Sequence, residues 1–240
     1  MTRLTFGSLF AGIGGIDLGF ERAGLECRWQ VEIDSYCQAV LARHWPRVRR
    51  WDDVQTFPPR PLKEWRVDVI AGGFPCQDIS NAGKRQGIDG PQSGLWRDFA
   101  KVLGVLRPRY VVVENTASLH GRGLDRVLAD LAALGFDAEW SVVSCCSLGA
   151  PHVRERLFVV AHADGPAFGE LWRQQAEEVR EAARDVCAWP GGPRPGRVAD
   201  GLPHRMDRIK CLGNAVSPQV AELIGRRLLY ANAINSLAKR

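Results

Sequence analysis

Short apolar runs alternate with helical patterns over the first two-thirds of the sequence, and this alternation limits the fold more than any other feature. The predicted strands are TFGSLF (5–10), CRWQVEI (27–33), VDVIAG (67–72), YVVVEN (110–115), AEWSVV (138–143) and RLFVVA (156–161). Between them, GIDLGFERAG, SYCQAVLARHW, LWRDFAKVLGVL and GLDRVLADLAAL space apolar residues three and four positions apart, as one-faced helices do. The pattern predicts an α/β fold, a mostly parallel sheet flanked by helices.

The chain divides into a core and two shorter segments. Residues 1–161 form the predicted core. Residues 162–211 form a predicted short insert, in which we expect a helix over 171–187, followed by WPGGPRPGR, whose prolines and glycines should break regular structure. Residues 212–240 form a C-terminal helix with Pro218 at its first position. We expect this helix to pack back onto the sheet through an apolar stripe of Val220, Leu223, Ile224, Leu228 and Ala231.

Composition narrows the class of protein. A chain of 240 residues with 45% hydrophobic content can bury the core of one large domain. MTRLTFGSLF does not read as a signal peptide, and no apolar run reaches the roughly 18 residues of a membrane span. We therefore expect a cytoplasmic protein without a membrane partner. The seven cysteines include no CxxC pair, which predicts neither a disulfide framework nor a metal site.

The charge of the chain is a weaker guide. The net charge of +5 and the isoelectric point near 9.0 permit nucleic-acid binding but do not demand it. The densest basic cluster is RHWPRVRR at 43–50. This cluster could contact phosphates, but such a run of charges is more commonly a solvent-exposed surface.

A glycine turn follows the first predicted strand. In FAGIGGIDLG, Gly12 and Gly14 would allow a ligand to approach the start of a helix closely. Glu32 ends the second strand, 20 positions after Gly12, the usual distance for a carboxylate that binds ribose hydroxyls. Together they predict an adenosine-bearing cofactor, and both NAD and S-adenosylmethionine fit.

Four reactive or charged residues follow or precede other predicted strands. Cys76 lies just after VDVIAG, Glu114 ends YVVVEN, and Arg154 and Arg156 lead into RLFVVA. Ligands gather at the carboxyl ends of strands in such sheets, so these residues can share one crevice. A thiolate, a carboxylic acid and guanidinium groups suit attack on a pyrimidine ring. Singly, each has a structural explanation, as packing, a loop cap or a surface charge.

These residues, in this order, resemble the cytosine-5 DNA methyltransferases. The motifs that carry the resemblance are FAGIGG (10–15), GGFPCQ (72–77), EN (114–115), RER (154–156) and GNAVSPQV (213–220). The resemblance implies a Rossmann-like fold, with residues 1–161 as a cofactor-binding and catalytic core and 162–211 as a much shortened target-recognition segment. It also implies S-adenosylmethionine as cofactor and double-stranded DNA as partner.

The resemblance also implies a role for each matching residue. Cys76 would attack carbon 6 of a flipped cytosine, Glu114 would contact the ring nitrogen and amine, and Arg156, with Arg154 in the same catalytic group, would contact the carbonyl oxygen. The residues expected around the cofactor are Phe10, Gly12, Gly14, Glu32, Ile33, Asp53, Pro75, Leu95 and Asn214. Those expected on DNA are Gln77, Ser80 and Lys84 in a closing loop. Side-chain chemistry, and not the resemblance, adds the hypothesis that Arg197, His204, Arg205 and Arg208 in the recognition segment contact DNA, because arginine suits guanine edges and phosphates.

The sequence departs from the family pattern in four places. The motif that usually reads ENV is ENT here, with Thr116 adding a hydroxyl at nearly constant volume. His152 replaces a usual glutamine, and Ala82 replaces a serine found in some members. The fourth departure, the short recognition segment at 162–211, raises the question of how DNA sequence is read.

Three other functions stay open at this point. A transfer-RNA methyltransferase would use similar chemistry, although its usual CFT-type signature is absent from the sequence. A non-catalytic binding protein of the same fold has no need for Cys76, Glu114 and Arg156 together. A nicotinamide-dependent oxidoreductase leaves GFPCQ without a role. We expect a monomer, and a companion restriction endonuclease remains an open partner.

Overall fold

A seven-stranded sheet runs through the part of the chain that the computed structural model describes, residues 3–75, 94–163 and 205–238. Its strands are β1 (Thr5–Leu9), β2 (Glu26–Val31), β3 (Arg49–Trp51), β4 (Val69–Gly73), β5 (Tyr110–Thr116), β6 (Asp137–Ser144) and β7 (Glu155–His162). The helices are α1 (Gly15–Ala23), α2 (Ser35–His44), α3 (Leu95–Leu106), α4 (Leu124–Ala133), α5 (Arg205–Asn214) and α6 (Pro218–Ala238).

The strand order is β3-β2-β1-β4-β5-β7-β6. The first five strands in that order are parallel, whereas β7 runs antiparallel to both β5 and β6. The chain begins at β1, builds outward to β3 and then returns to place β4 on the other side of β1. In an open α/β sheet, a crevice forms at the carboxyl ends of the strands where the order reverses.

Helices cover both faces of the sheet. On one face, Phe6 from β1 packs with Phe20 from α1 and Ile224 from α6 in a single apolar cluster. On the other face, Trp29 from β2 and Phe99 from α3 belong to a second cluster. All five residues of the stripe predicted for the C-terminal helix are buried. Since both faces of the central strands are covered, a run such as YVVV (110–113) is apolar at successive positions instead of alternating.

The predicted fold class is confirmed, and each of the six predicted strands is present. Two elements were not predicted. Strand β3 is three residues long and carries two arginines, which pair within the chain. Arg49 forms an ion pair with Glu64 at 2.7 Å, and Arg50 donates to the Trp45 carbonyl at 2.8 Å. Two of the arginines in the basic cluster at 43–50 therefore have partners within the chain, and phosphate contacts are not needed to explain them.

Helix α5 was also missed, because its apolar residues do not form a buried stripe. Met206, Ile209 and Leu212 are exposed, so their spacing does not mark a core-facing side. The helix runs across the predicted boundary between residues 211 and 212. The division into core, insert and C-terminal segment remains a prediction, because residues 164–204, including the helix expected over 171–187, lie outside the described ranges.

Candidate active site

A cleft of about 690 Å³ lies where the strand order reverses. This volume is within the usual range for small-molecule sites. Of the residues predicted for the site, those that line the cleft are Phe10, Gly12, Glu32, Ile33, Asp53, Pro75, Leu95, Glu114, Arg156 and Asn214. They come from the ends of β1, β2, β4 and β5, from the loop after β3, and from α3, β7 and α5. The tertiary structure therefore brings together residues that are up to 204 positions apart in sequence.

The cleft extends along the carboxyl edge of the sheet. Its lining residues follow the sheet edge from the end of β3 to the start of β7. Adjacent strands lie about 4.8 Å apart, so the three intervals from β2 to β5 separate the strand ends by about 14 Å. Glu32 follows β2, whereas Glu114 lies in β5. The two carboxyl groups thus serve different parts of the cleft.

The turn after β1 has the backbone conformation of a ligand-binding turn. Gly12 has a φ of 56° and Phe10 a φ of 54°, a left-handed conformation that a phenylalanine rarely adopts. Such strained residues are concentrated at ligand sites. Gly14 caps α1 with a φ of 85°, and a Cβ at this position would collide with the Trp45 ring. Gly14 does not line the cleft and shapes the turn from below.

Glu32 is held in place by two backbone donors. Its Oε2 accepts from the Gly12 N–H at 2.7 Å, and its Oε1 accepts from the Asp34 N–H at 2.8 Å. A carboxylate has about four acceptor positions, so both oxygens keep the capacity to accept ligand hydroxyls. The turn and the acid were predicted separately from sequence. The hydrogen bond between them gives the 20-residue spacing a structural reason.

The surroundings of Glu32 suit a flat, partly apolar ligand. Ile33 lines the cleft although 74% of its surface is exposed, which is costly for so large an apolar side chain. Asp53 directs one oxygen, Oδ1, to the Gln55 N–H at 2.9 Å, and no described residue donates to its Oδ2. An apolar face beside an available acceptor matches the needs of an adenine with its exocyclic amine.

Buried Glu114 forms an ion pair with the partly exposed Arg156 at the other end of the cleft. Arg156 Nε lies 3.0 Å from Glu114 Oε1, and the glutamate side chain is 9% exposed. Burial raises the pKa of Glu114 to about 7, even though Arg156 and Arg154 act in the opposite direction. Desolvation therefore outweighs the ion pair, and the carboxyl can carry a proton near neutral pH.

The space for Glu114 depends on the residue opposite it in β4. Gly73 pairs with Glu114 in the parallel register. A Cβ at position 73 would collide with Glu114 Oε2. The second glycine of GGFPCQ therefore has a defined purpose, because any larger residue would displace the carboxyl.

Arg154 makes different contacts from those predicted for a catalytic residue. Its guanidinium donates to the carbonyls of Gly213 and Ala215, and it does not line the cleft. Burial lowers its pKa. These bonds tie the loop before β7 to the carboxyl end of α5, on either side of Asn214. A catalytic contact for Arg154 remains a prediction, whereas its hydrogen bonds indicate a positioning role.

Asn115 is a site residue that the sequence reasoning did not select. Its Nδ2 donates to the Phe74 carbonyl at 3.0 Å, and its Oδ1 accepts from the Thr116 N–H at 2.9 Å. The side chain is thus a clamp between the ends of β4 and β5, where GGFPCQ leaves the sheet. Its place beside Glu114 in the EN motif was the available signal.

Helix α5 is attached to the edge of the cleft by two contacts. Lys210 pairs with Asp34 at 2.8 Å, and Cys211 Sγ lies 3.0 Å from Cys37 Sγ. Asp34, Cys37 and Cys211 could together surround a cation. The Lys210 ammonium already neutralises Asp34, and burial raises the pKa of Cys37, so this group does not favour a metal ion.

Several predicted residues cannot be placed in the cleft. Cys76, Gln77, Ser80, Lys84, Arg197 and His204 lie outside the described residues. Arg205 begins α5, and Arg208 is exposed on the same helix. Across the ranges described, no helix combines the length and the apolar character that crossing a bilayer requires.

Comparison with known proteins finds similarity to methyltransferases. A family model described as C-5 cytosine-specific DNA methylase matches residues 4–183. The Type II methyltransferase M1.HphI of Haemophilus parahaemolyticus is 34% identical over 173 residues, 68% of this chain and 46% of that protein. M2.BsuMI of Bacillus subtilis, also a Type II methyltransferase, is 33% identical over 162 residues, 64% of this chain and 41% of that protein. The matched part spans less than half the length of these relatives.

Solved structures share the fold. The Spodoptera frugiperda DNMT2 structure has a TM-score of 0.56 and 21% identity, with 66% of this chain and 50% of that chain covered. The Entamoeba histolytica methyltransferase EhMeth has a TM-score of 0.60 and 15% identity, with 69% and 54% covered. At these identities the likeness concerns architecture alone.

Proposed function

This chain belongs to the C-5 cytosine-specific DNA methylase family, and we propose that it methylates carbon 5 of cytosine in duplex DNA with S-adenosylmethionine. The observation that supports this most directly is Glu114, a buried carboxyl with a pKa of about 7 beside Arg156. Both line the same cleft as the ribose-type carboxylate Glu32. An acid and a cation for a pyrimidine thus lie next to a nucleotide-like site.

The half of the cleft around Glu32 fits S-adenosylmethionine. We assign Glu32 to the ribose hydroxyls, Asp53 to the adenine amine and Ile33 to the adenine face. Phe10, Gly12, Pro75, Leu95 and Asn214 would complete the walls, with Gly14 supporting the turn. When bound there, S-adenosylmethionine supplies the methyl group.

The other half of the cleft carries the groups for covalent catalysis. The Cys76 thiolate would add to carbon 6 of the cytosine, while Glu114 holds a proton at the ring nitrogen that receives the electron pair. Arg156 would donate to the carbonyl oxygen. Addition makes carbon 5 nucleophilic. After methylation, loss of the carbon 5 proton and elimination of the thiolate restore the aromatic ring.

DNA contacts are assigned to the loop after β4 and to the recognition segment. Gln77, Ser80 and Lys84 would meet the backbone around the flipped base, and Arg197, His204, Arg205 and Arg208 would contact DNA from the segment at 162–211. Arg208 is exposed on α5, and Lys210, Cys211 and Asn214 of the same helix line the cleft. Loss of a phosphate contact reduces the slope of log affinity against log salt by about 1.

Charge reversal at one exposed arginine tests this interface. Arg208→Glu should weaken DNA binding, whereas Arg66→Glu should not. Arg66 is equally exposed but precedes β4, at the sheet edge opposite the cleft. Equal DNA affinities and equal salt dependence of binding for the two variants would show that Arg208 does not contact DNA.

Methyl transfer from labelled S-adenosylmethionine tests the function itself. Wild-type protein should label duplex DNA, and sequencing should place the label on cytosine carbon 5. Cys76→Ser should reduce the rate on the order of 1,000-fold or more, as removal of a nucleophile does. Cys146→Ser is the matched control, because Cys146 is an exposed cysteine at the end of β6. Label on transfer RNA and not on DNA would assign the activity to RNA instead.

Covalent trapping supplies a second measurement. DNA with 5-fluorocytosine at a methylated position should form an adduct that survives denaturation, because fluorine blocks the final elimination. Normal methylation without such an adduct would contradict nucleophilic catalysis by Cys76.

A further inference from the structure

Thr116 belongs to the same polar surface as Glu114 and Arg156. It ends β5 two residues after Glu114, and alternate residues of a strand project from the same face of the sheet. In the antiparallel pairing of β5 with β7, Thr116 lies directly opposite Arg156. All three residues line the cleft.

The Thr116 hydroxyl has no hydrogen-bond partner within residues 3–75, 94–163 and 205–238, although its oxygen is shielded from solvent. The Thr116 N–H, by contrast, is satisfied by Asn115 Oδ1 at 2.9 Å. A buried hydroxyl without a partner destabilises the folded chain, and valine would fill the same volume without that cost. The hydroxyl is therefore unpaired among the described residues, and rotation of the Thr116 side chain to another staggered rotamer would present it to a group that enters the cleft.

The neighbouring donors indicate which group that is. Arg156 uses Nε for Glu114 and Nη1 for the Glu155 carbonyl, at 2.8 Å, which leaves N–H groups for a ligand. A carbonyl oxygen has two lone pairs and can accept from two donors at once. Glu114 suits a ring nitrogen, and the carbonyl oxygen next to that nitrogen would lie on the side of Arg156 and Thr116.

We propose that Thr116 Oγ1 donates a second hydrogen bond, beside Arg156, to the carbonyl oxygen of the target cytosine. This inference rests on the proposed function. Electron density that reaches the ring nitrogen during thiolate addition is shared with the carbonyl oxygen by conjugation. The hydrogen bond strengthens as that negative charge develops, so it acts on the rate of the covalent step more than on DNA affinity.

Single-turnover methylation of DNA distinguishes this role from a structural one. Thr116→Val should slow methyl transfer about tenfold, the value of one hydrogen bond to a partly charged acceptor, with DNA affinity changed less than about twofold. Thr116→Ser keeps the hydroxyl and should recover most of the rate. Equal rates for wild type and Thr116→Val would overturn the inference while the proposed function stands.

An atomic substitution in the substrate identifies the acceptor. Replacement of the target cytosine by 2-thiocytosine exchanges the carbonyl oxygen for sulfur, a weaker acceptor. The methyl-transfer rate should fall by a larger factor for the wild type than for Thr116→Val when cytosine is replaced by 2-thiocytosine, because the variant has no hydroxyl that could bond to this atom. Equal losses would show that Thr116 does not contact this atom.

Thermal unfolding tests, independently of enzymatic activity, whether the Thr116 hydroxyl has a hydrogen-bond partner within the chain. Thr116→Val should melt at the same temperature as wild type or higher. Thr5→Val is the matched control and should melt lower, because the Thr5 hydroxyl donates to Asp68 Oδ2 at 2.8 Å. A lower melting temperature for Thr116→Val would reveal a partner inside the chain and overturn the inference. Absence of methyl transfer by wild type would overturn the proposed function, and this inference with it.

Discussion

Removal of the ionisable group at Glu114 should change how stability depends on pH. Burial raises the pKa of this carboxyl from 4.5 to about 7. A group whose pKa is raised on folding stabilises the native state fully below its ordinary pKa, and that contribution is lost as pH rises through the higher value. At about 1.4 kcal/mol per pH unit, the whole contribution is about 3 kcal/mol, of which about 2 kcal/mol is lost between pH 5.5 and 8.5.

Urea denaturation of wild type and Glu114→Gln at both pH values measures this difference. Glutamine has the same shape and can accept from Arg156, but it does not titrate. The free energy of unfolding of the wild type should fall by about 2 kcal/mol more than that of the variant across this interval. The other titratable groups are the same in both proteins, so their contributions cancel in the difference between wild type and variant.

Glu155→Gln provides the control, because it makes the same chemical change at an exposed position on β7. Its pH dependence should follow that of the wild type. If wild type and Glu114→Gln changed equally with pH, Glu114 would not carry a raised pKa, and the assignment of a neutral acid beside the substrate would fail.

Three further substitutions test the architecture of the cleft. Glu32→Gln loses the charge that accepts two backbone N–H groups and should weaken S-adenosylhomocysteine binding about 10-fold or more in calorimetry, whereas Glu26→Gln on the surface should not. Arg154→Gln should lower the free energy of unfolding by about 2 kcal/mol, because it removes two hydrogen bonds to backbone carbonyls. The control Arg126→Gln removes an exposed ion pair with Asp130 and should change this free energy by less than about 0.5 kcal/mol. Lys210→Met should lower the free energy of unfolding by less than about 1 kcal/mol at low salt, because the Lys210–Asp34 pair is surface-exposed. This difference from wild type should vanish in 1 M NaCl, and a difference of unchanged size in 1 M NaCl would contradict a screened ion pair.

The strand and helix pattern was readable from the sequence because each element buries its own apolar face. The continuous apolar runs YVVV (110–113) and LFVVA (157–161) lie in β5 and β7. Gly12 and Glu32 were identified from their spacing alone, and their hydrogen bond at 2.7 Å supports that reading. Local chemistry and periodicity determine such features, so a single chain segment contains the information.

Other features depend on contacts between distant segments. The antiparallel placement of β7 between β5 and β6 sets Arg156 opposite Thr116. Nothing within either motif specifies that pairing. Likewise, Arg154 reads as a catalytic cation in RER, but its bonds to Gly213 and Ala215 form only when the C-terminal segment returns to the core.

The sequence by itself determined the fold class, and it predicts a cofactor turn, an acid and a cation, because these follow from local patterns and side-chain chemistry. The tertiary structure alone decided that Glu114 is buried enough to have a pKa of about 7. Desolvation depends on every group packed around a carboxyl, and those groups come from separate parts of the chain. It also decided that the Thr116 hydroxyl is enclosed without a partner among the described residues, a property that a three-letter motif does not encode.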